Sequence, residues 1–122
     1  MSDMLEIWIN KIRTGDPKQV VDLYHDDGLL LGTFSDKERK GHDLILKYFE
    51  NLLKSQVDVE IVTQHKHIEK YDSRESLVTN SGLYNFIVDG KTVNARFSFV
   101  FIKTGDDWKI LSHHSSVLPE SH

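Results

Sequence analysis

From Val57 to Val117 the chain is almost unbroken β-forming sequence, and this half restricts the possible folds more than anything before it. Four runs of alternating, β-branched or aromatic residues stand in order: Val57 to Lys70, Ser76 to Val88, Thr92 to Lys103 and Trp108 to Val117. "VDGK" and "KTGDDW" have the composition of hairpin turns. Consecutive strands joined this way form an antiparallel sheet, and such a sheet needs an apolar layer across at least one face.

The first half supplies that layer. Leu5, Trp8, Ile9 and Ile12 recur at helical spacing between a cap at Asp3 and an exit at Gly15. Asp16 and Pro17 open a second, short helix whose Val20, Val21 and Leu23 lead to Tyr24. "LLLGT", 29 to 33, reads as a brief buried strand, and "SDKERKGHD" as a polar turn. A third helix then carries Leu44, Ile45, Tyr48, Phe49, Leu52 and Leu53 on one side. Helices followed by strands predict an α+β fold, with a curved antiparallel sheet wrapped around the long helix. No internal repeat or linker divides the 122 residues, so one domain spanning 1–122 is expected.

Composition excludes several chemistries. With no cysteine there is no thiolate nucleophile, iron–sulfur cluster or cysteine-ligated zinc. A formal charge of −4 argues against a nucleic-acid partner, because affinity for a polyanion rests on clustered Lys and Arg, and "KERK" at 37 to 40 is the one such cluster. The N-terminal segment begins with acids and continues into no uninterrupted apolar run, so neither a signal peptide nor a membrane span is expected, and the expected location is cytoplasmic. His65 and His67 in "QHKH" share a strand face, but no facing carboxylate can be identified, and neither a metal nor another cofactor is expected.

A register argument places the remaining candidates. If Gly105 and Asp106 form a two-residue turn, Thr104 pairs with Asp107, and counting back sets Ser98 opposite His113 and Arg96 opposite Ser115. Arg96, Ser98, His113 and Ser115 then share one face, and Phe97, Phe99 and Phe101 the other. A one-residue bulge would exchange these assignments. In the regular register the polar set lines a pocket under the helix, while the Phe face meets a second copy in a homodimer.

"GKTVNARFSFVFIKTGDDWKILSHHSSVLPE" resembles the C-terminal half of the NTF2-like family related to the association domain of calcium/calmodulin-dependent protein kinase II. The closest likeness is to small bacterial members that carry Ala-Arg-aromatic-Thr-Phe-Val, then Trp-Lys-Ile, then His-His-Ser-Ser before Met/Leu-Pro. "LLLGTFSDKERKGHDLILKYF" resembles the same family's Leu-Leu-Pro-Thr-x-Ser segment, its following arginine, matched by Arg39, and a Tyr-Phe in the next helix. The resemblance implies an NTF2-like (SnoaL-like) cone of curved sheet and helices, usually dimeric, with a pocket at the wide end. Iota-class carbonic anhydrases share the motif set, with a threonine, a tyrosine and a serine around the reacting water or bicarbonate and no metal in some members. Those positions fall on Thr33, Tyr48 and Ser115. Gly32 and Ser112 depart from the family, which commonly has proline and a third histidine there.

The activity so implied is reversible hydration of CO2 by a carbonic anhydrase-like lyase. Bulk water has a pKa of about 15.7, so without a metal another group must take its proton. His113 is the candidate base, since imidazole ordinarily titrates near about 6.5. Thr33, Tyr48 and Ser115 would orient the water, with Arg96 and Ser98 binding bicarbonate. Two other classes stay open: a binding module for a small carboxylate, and an oligomeric association domain.

Overall fold

Each helix begins where the sequence offers a cap. This computed structural model describes residues 3–70 and 75–119. Helix α1 (Met4–Arg13) starts under Asp3, whose carboxylate accepts the Leu5 N–H at 2.9 Å. Helix α2 (Pro17–Val21) starts under Asp16 with Pro17 in its first turn. Strand β1 (Tyr24–Leu31) and the short β2 (Glu38–Lys40) precede helix α3 (His42–Leu52). Strands β3 (Val57–Lys70), β4 (Glu75–Val88), β5 (Lys91–Thr104) and β6 (Asp107–Val117) complete the chain. Asp89 and Gly90 both have positive φ in the β4–β5 turn, and Gly105 has φ 68° in the β5–β6 turn, so both loops have the two-residue geometry that the right-handed strand twist favours.

Among the described residues six strands lie in the order β2-β1-β6-β5-β4-β3. This corrects two expectations. The sheet is mixed, because β1 runs parallel to β6, with Leu30 opposite His113. The stretch read as a polar turn contains an edge strand, β2, paired antiparallel to β1. The exposed Asp26 and Asp27 interrupt the apolar pattern of β1, and three charged residues suit an edge that must not recruit another chain.

The inner face of the sheet is aromatic and is covered by α1 and α3. Trp8 of α1 stacks on Tyr84 with ring centroids 6.1 Å apart and meets Phe99 edge-on at 5.4 Å. Phe97, Phe99 and Phe101 are all buried within this one chain. The expected Phe-faced dimer interface is therefore replaced by the hydrophobic core, and α1, not a second subunit, covers Phe99. Truncating a buried aromatic of this kind costs about 3–5 kcal/mol.

Candidate functional site

The site is built by one extra residue. As expected, Thr104 pairs with Asp107, and the regular register continues to Phe101 opposite Ile110. Leu111 then bulges, and the next pairs are Val100 with Ser112, Phe99 with His113, Ser98 with His114 and Phe97 with Ser115. The bulge reverses the parity of everything beyond it. His113 and Ser115 turn inward with the phenylalanines, whereas Arg96 and Ser98 are exposed on the outer face beside His114 and Ser116. The grouping of Arg96 and Ser98 with His113 and Ser115 is thus corrected: the two pairs lie on opposite sides of the sheet.

His113 is 2 % exposed and stacks on Phe99 with centroids 3.9 Å apart. Its Nδ1 lies 2.8 Å from the Tyr24 hydroxyl and its Nε2 lies 3.1 Å from the Tyr84 hydroxyl. Burial, helped by the neighbouring His114, pushes the imidazole pKa down to about 3, so the ring is neutral at physiological pH. Both tyrosines are fully buried, and loss of solvation raises their pKa values far above the ordinary phenol range. Tyr24 also accepts the Trp8 indole N–H at 3.2 Å. Its backbone carbonyl lies 2.6 Å from His42 Nε2, which ties β1 to α3.

The chain of polar groups continues outward. Tyr84 donates to Ser115 Oγ at 2.5 Å, and Ser115 is hydrogen-bonded to Thr33 Oγ1. Thr33 is the half-buried end of this chain and lines a cavity of about 350 Å³ with Ser35, Lys37 and Ser115. The structure thereby joins three residues singled out in the sequence, Thr33, Ser115 and His113, through a tyrosine that was not. It gives His113 no direct contact with solvent, so any proton exchange between the cavity and the imidazole passes through Ser115 and Tyr84.

Tyr48 sits differently. Its hydroxyl faces the Phe34 backbone N–H at 3.4 Å, and burial pushes its pKa up to about 12 despite the nearby Arg39 charge. The ring is pressed onto Gly32: a Cβ there would lie 2.4 Å from ring carbons Cε2 and Cζ. Glycine in place of the family's proline therefore makes room for Tyr48 beside the 32–37 loop.

Arg39, read as part of a solvated turn, is half-buried and borders this loop from the other side. One terminal guanidinium nitrogen donates to Ser35 Oγ at 3.2 Å, while its buried Nε has no hydrogen-bond partner among the described residues. It lines one depression with Thr33, Ser35, Asp36 and Lys37 and another with Tyr48 and Phe34. Counting back from the "VDGK" turn puts Tyr84 opposite Ala95, on the inner face, so this member of the chain was accessible to register reasoning. Arg39 was signalled only by its place in the family segment. Among the described residues no three metal-ligating side chains cluster, and His65 lies on the outer face near Arg96. No helix among them is long and apolar enough to cross a membrane.

Comparisons with known proteins agree with this geometry. The family model for the SnoaL-like domain matches residues 2–120. A Xanthomonas campestris protein assigned to the calcium/calmodulin-dependent protein kinase II association domains is 33% identical, with a TM-score of 0.82 over 97% of this chain and 85% of its own. An NTF2-like protein of Pseudomonas putida KT2440 shares the fold at 14% identity and a TM-score of 0.73, over 98% of this chain and 84% of that one. A ketosteroid isomerase-like protein of Erwinia carotovora atroseptica shares it at 14% identity and a TM-score of 0.66, over 96% and 92%. No curated protein matches. With nearly its whole length matched, an NTF2-like fold and a relative one-third identical, the chain belongs to the SnoaL-like domain family.

Proposed function

We propose that this protein binds a small carboxylate or bicarbonate anion beside the 32–37 loop, between the Thr33–Ser115 hydroxyl pair and the Arg39 guanidinium. The observation that carries the reading is Arg39: its buried Nε–H has no hydrogen-bond partner among the described residues, and its side chain lines a depression with Thr33, Ser35, Asp36 and Lys37. A desolvated donor of this kind favours an oxyanion, with which guanidinium forms short, charge-assisted bonds. Lys37 adds positive charge at the rim and Asp36 opposes it. Arg39 takes over the anion-binding role first given to Arg96. Titrating the protein with sodium acetate while following amide shifts of Thr33 and Ser35 tests the reading. Saturable shifts that Arg39→Ala abolishes and Arg96→Ala preserves are the expected result, and shifts unaffected by Arg39→Ala would end it.

A second reading, CO2 hydration, is favoured by the unbroken hydrogen-bonded path from Thr33 to His113. Its weakness is the base, because an imidazole with a pKa of about 3 is poorly matched to taking a proton from water near neutrality. Stopped-flow hydration with chelator-treated protein decides it, and rates at background level exclude the activity.

A further inference from the structure

The chain of polar groups behind Thr33 has only one arrangement of hydrogens that satisfies all of its buried members. An indole N–H can only donate, so Trp8 occupies one lone pair of the Tyr24 oxygen. The Tyr24 hydroxyl has a single hydrogen, and His113 Nδ1 is the acceptor beside it. Were Nδ1 protonated instead, Tyr24 would receive two hydrogens and its own would be buried without an acceptor, a cost no other contact offsets. Nδ1 is therefore the acceptor, and the neutral ring carries its proton on Nε2, directed at Tyr84. Tyr84 passes the same direction on by donating to Ser115. Ser115, already accepting and only 4 % exposed, keeps its own hydrogen partnered by donating to Thr33. The Thr33 hydrogen is the one left over, and it belongs to the cavity.

We propose that Tyr24, anchored by Trp8, is a positioning residue that sets the direction of the whole chain, so that Thr33 meets its ligand as a hydrogen-bond donor. The inference rests on the site reading above and deepens it: a Thr33 hydroxyl held this way selects the ionised form of a small acid, whose oxygens only accept, over a protonated acid presenting its own hydrogen. Neither Trp8 nor Tyr24 touches the ligand. Their effect travels through His113, Tyr84 and Ser115, each of which has its donor and acceptor assigned by the group before it.

The direction is measurable without any ligand. Long-range ¹H–¹⁵N correlation spectra of the full chain at neutral pH distinguish a protonated, pyrrole-type ring nitrogen from an unprotonated, pyridine-type one. Pyridine-type Nδ1 and pyrrole-type Nε2 are expected at His113, and the opposite tautomer overturns the proposal. Tyr24→Phe removes the hydrogen that fixes Nδ1 as acceptor, so both tautomers should appear, and acetate should bind roughly five-fold more weakly, the worth of about one hydrogen bond. A single unchanged tautomer in that variant also overturns the proposal. If Tyr24→Phe fails to fold, the wild-type tautomer decides alone. If acetate shifts no resonance of the wild type, the binding reading falls while the tautomer still settles the direction of the chain.

Discussion

The two faces of the β5–β6 hairpin carry similar residues to different ends. Inward, His113 and Ser115 lie among Phe97, Phe99 and Phe101, and both have assigned hydrogen-bond partners. Outward, Arg96, Ser98, His114 and Ser116 line an open depression of the sheet surface. A His-Ser pair thus occurs twice in four residues, once in the core and once outside it. The difference shows that residue type does not make a site here. What matters is that low dielectric leaves buried polar groups no alternative partner, so each is held in one orientation, whereas solvated groups choose freely.

The strongest way to break the comparison is to charge each face in turn. Phe99→Glu places an unpaired carboxylate beside His113 in the core and should cost more than about 4 kcal/mol, enough to unfold most of the protein, with Ser98→Glu changing stability by less than about 0.5 kcal/mol. Urea unfolding of both variants measures the contrast, and a stable Phe99→Glu protein would mean that the inner face has been misidentified. Replacing Tyr84 with phenylalanine should come next. It takes away the hydroxyl that both His113 Nε2 and Ser115 Oγ bond in the core, and should destabilise by about 1–3 kcal/mol in the same assay.

Acid should separate the faces more gently. The folded His113 pKa, about 3, lies below the ordinary value of 6.5, so as pH falls below 6.5 the unfolded chain takes up a proton that the native ring refuses. Its contribution to stability is full above the unfolded pKa and declines toward pH 3. By pH 5 the loss relative to pH 7 should be about 2 kcal/mol. Replacing His113 with phenylalanine should flatten that part of the pH profile, though at lower overall stability. The smallest effect is expected on the outer face: Arg96→Ala should alter stability by less than about 0.5 kcal/mol and leave acetate titration unchanged.

Much of the architecture was legible from local pattern. The caps at Asp3 and Asp16, the amphipathic α1 and α3, four long strands and both two-residue turns all follow from residue spacing and turn chemistry. The family segment brought Thr33, Tyr48 and Ser115 into view, and the first and last of these do meet. Strand β2 was hidden because three charged residues carry no strand signal, and the first half of β1 because exposed aspartates interrupt it. Arg39, inside β2, was signalled by the family segment alone.

By itself, then, the sequence determined the elements and the start of the hairpin register, since these depend on residues close together in the chain. Which face His113 and Ser115 occupy was decided only by the tertiary structure. At Val100–Phe101 the strand pairing can continue regularly or admit Leu111 as a bulge, and local propensity hardly separates the two. The choice is made from a distance: β1 pairs alongside β6, α1 lays Trp8 over Phe99, and the hydroxyls of Tyr24 and Tyr84 wait on either side of one imidazole. Only the bulged register gives each of those buried groups its partner, and the cost of leaving them unpaired in a medium without water selects it.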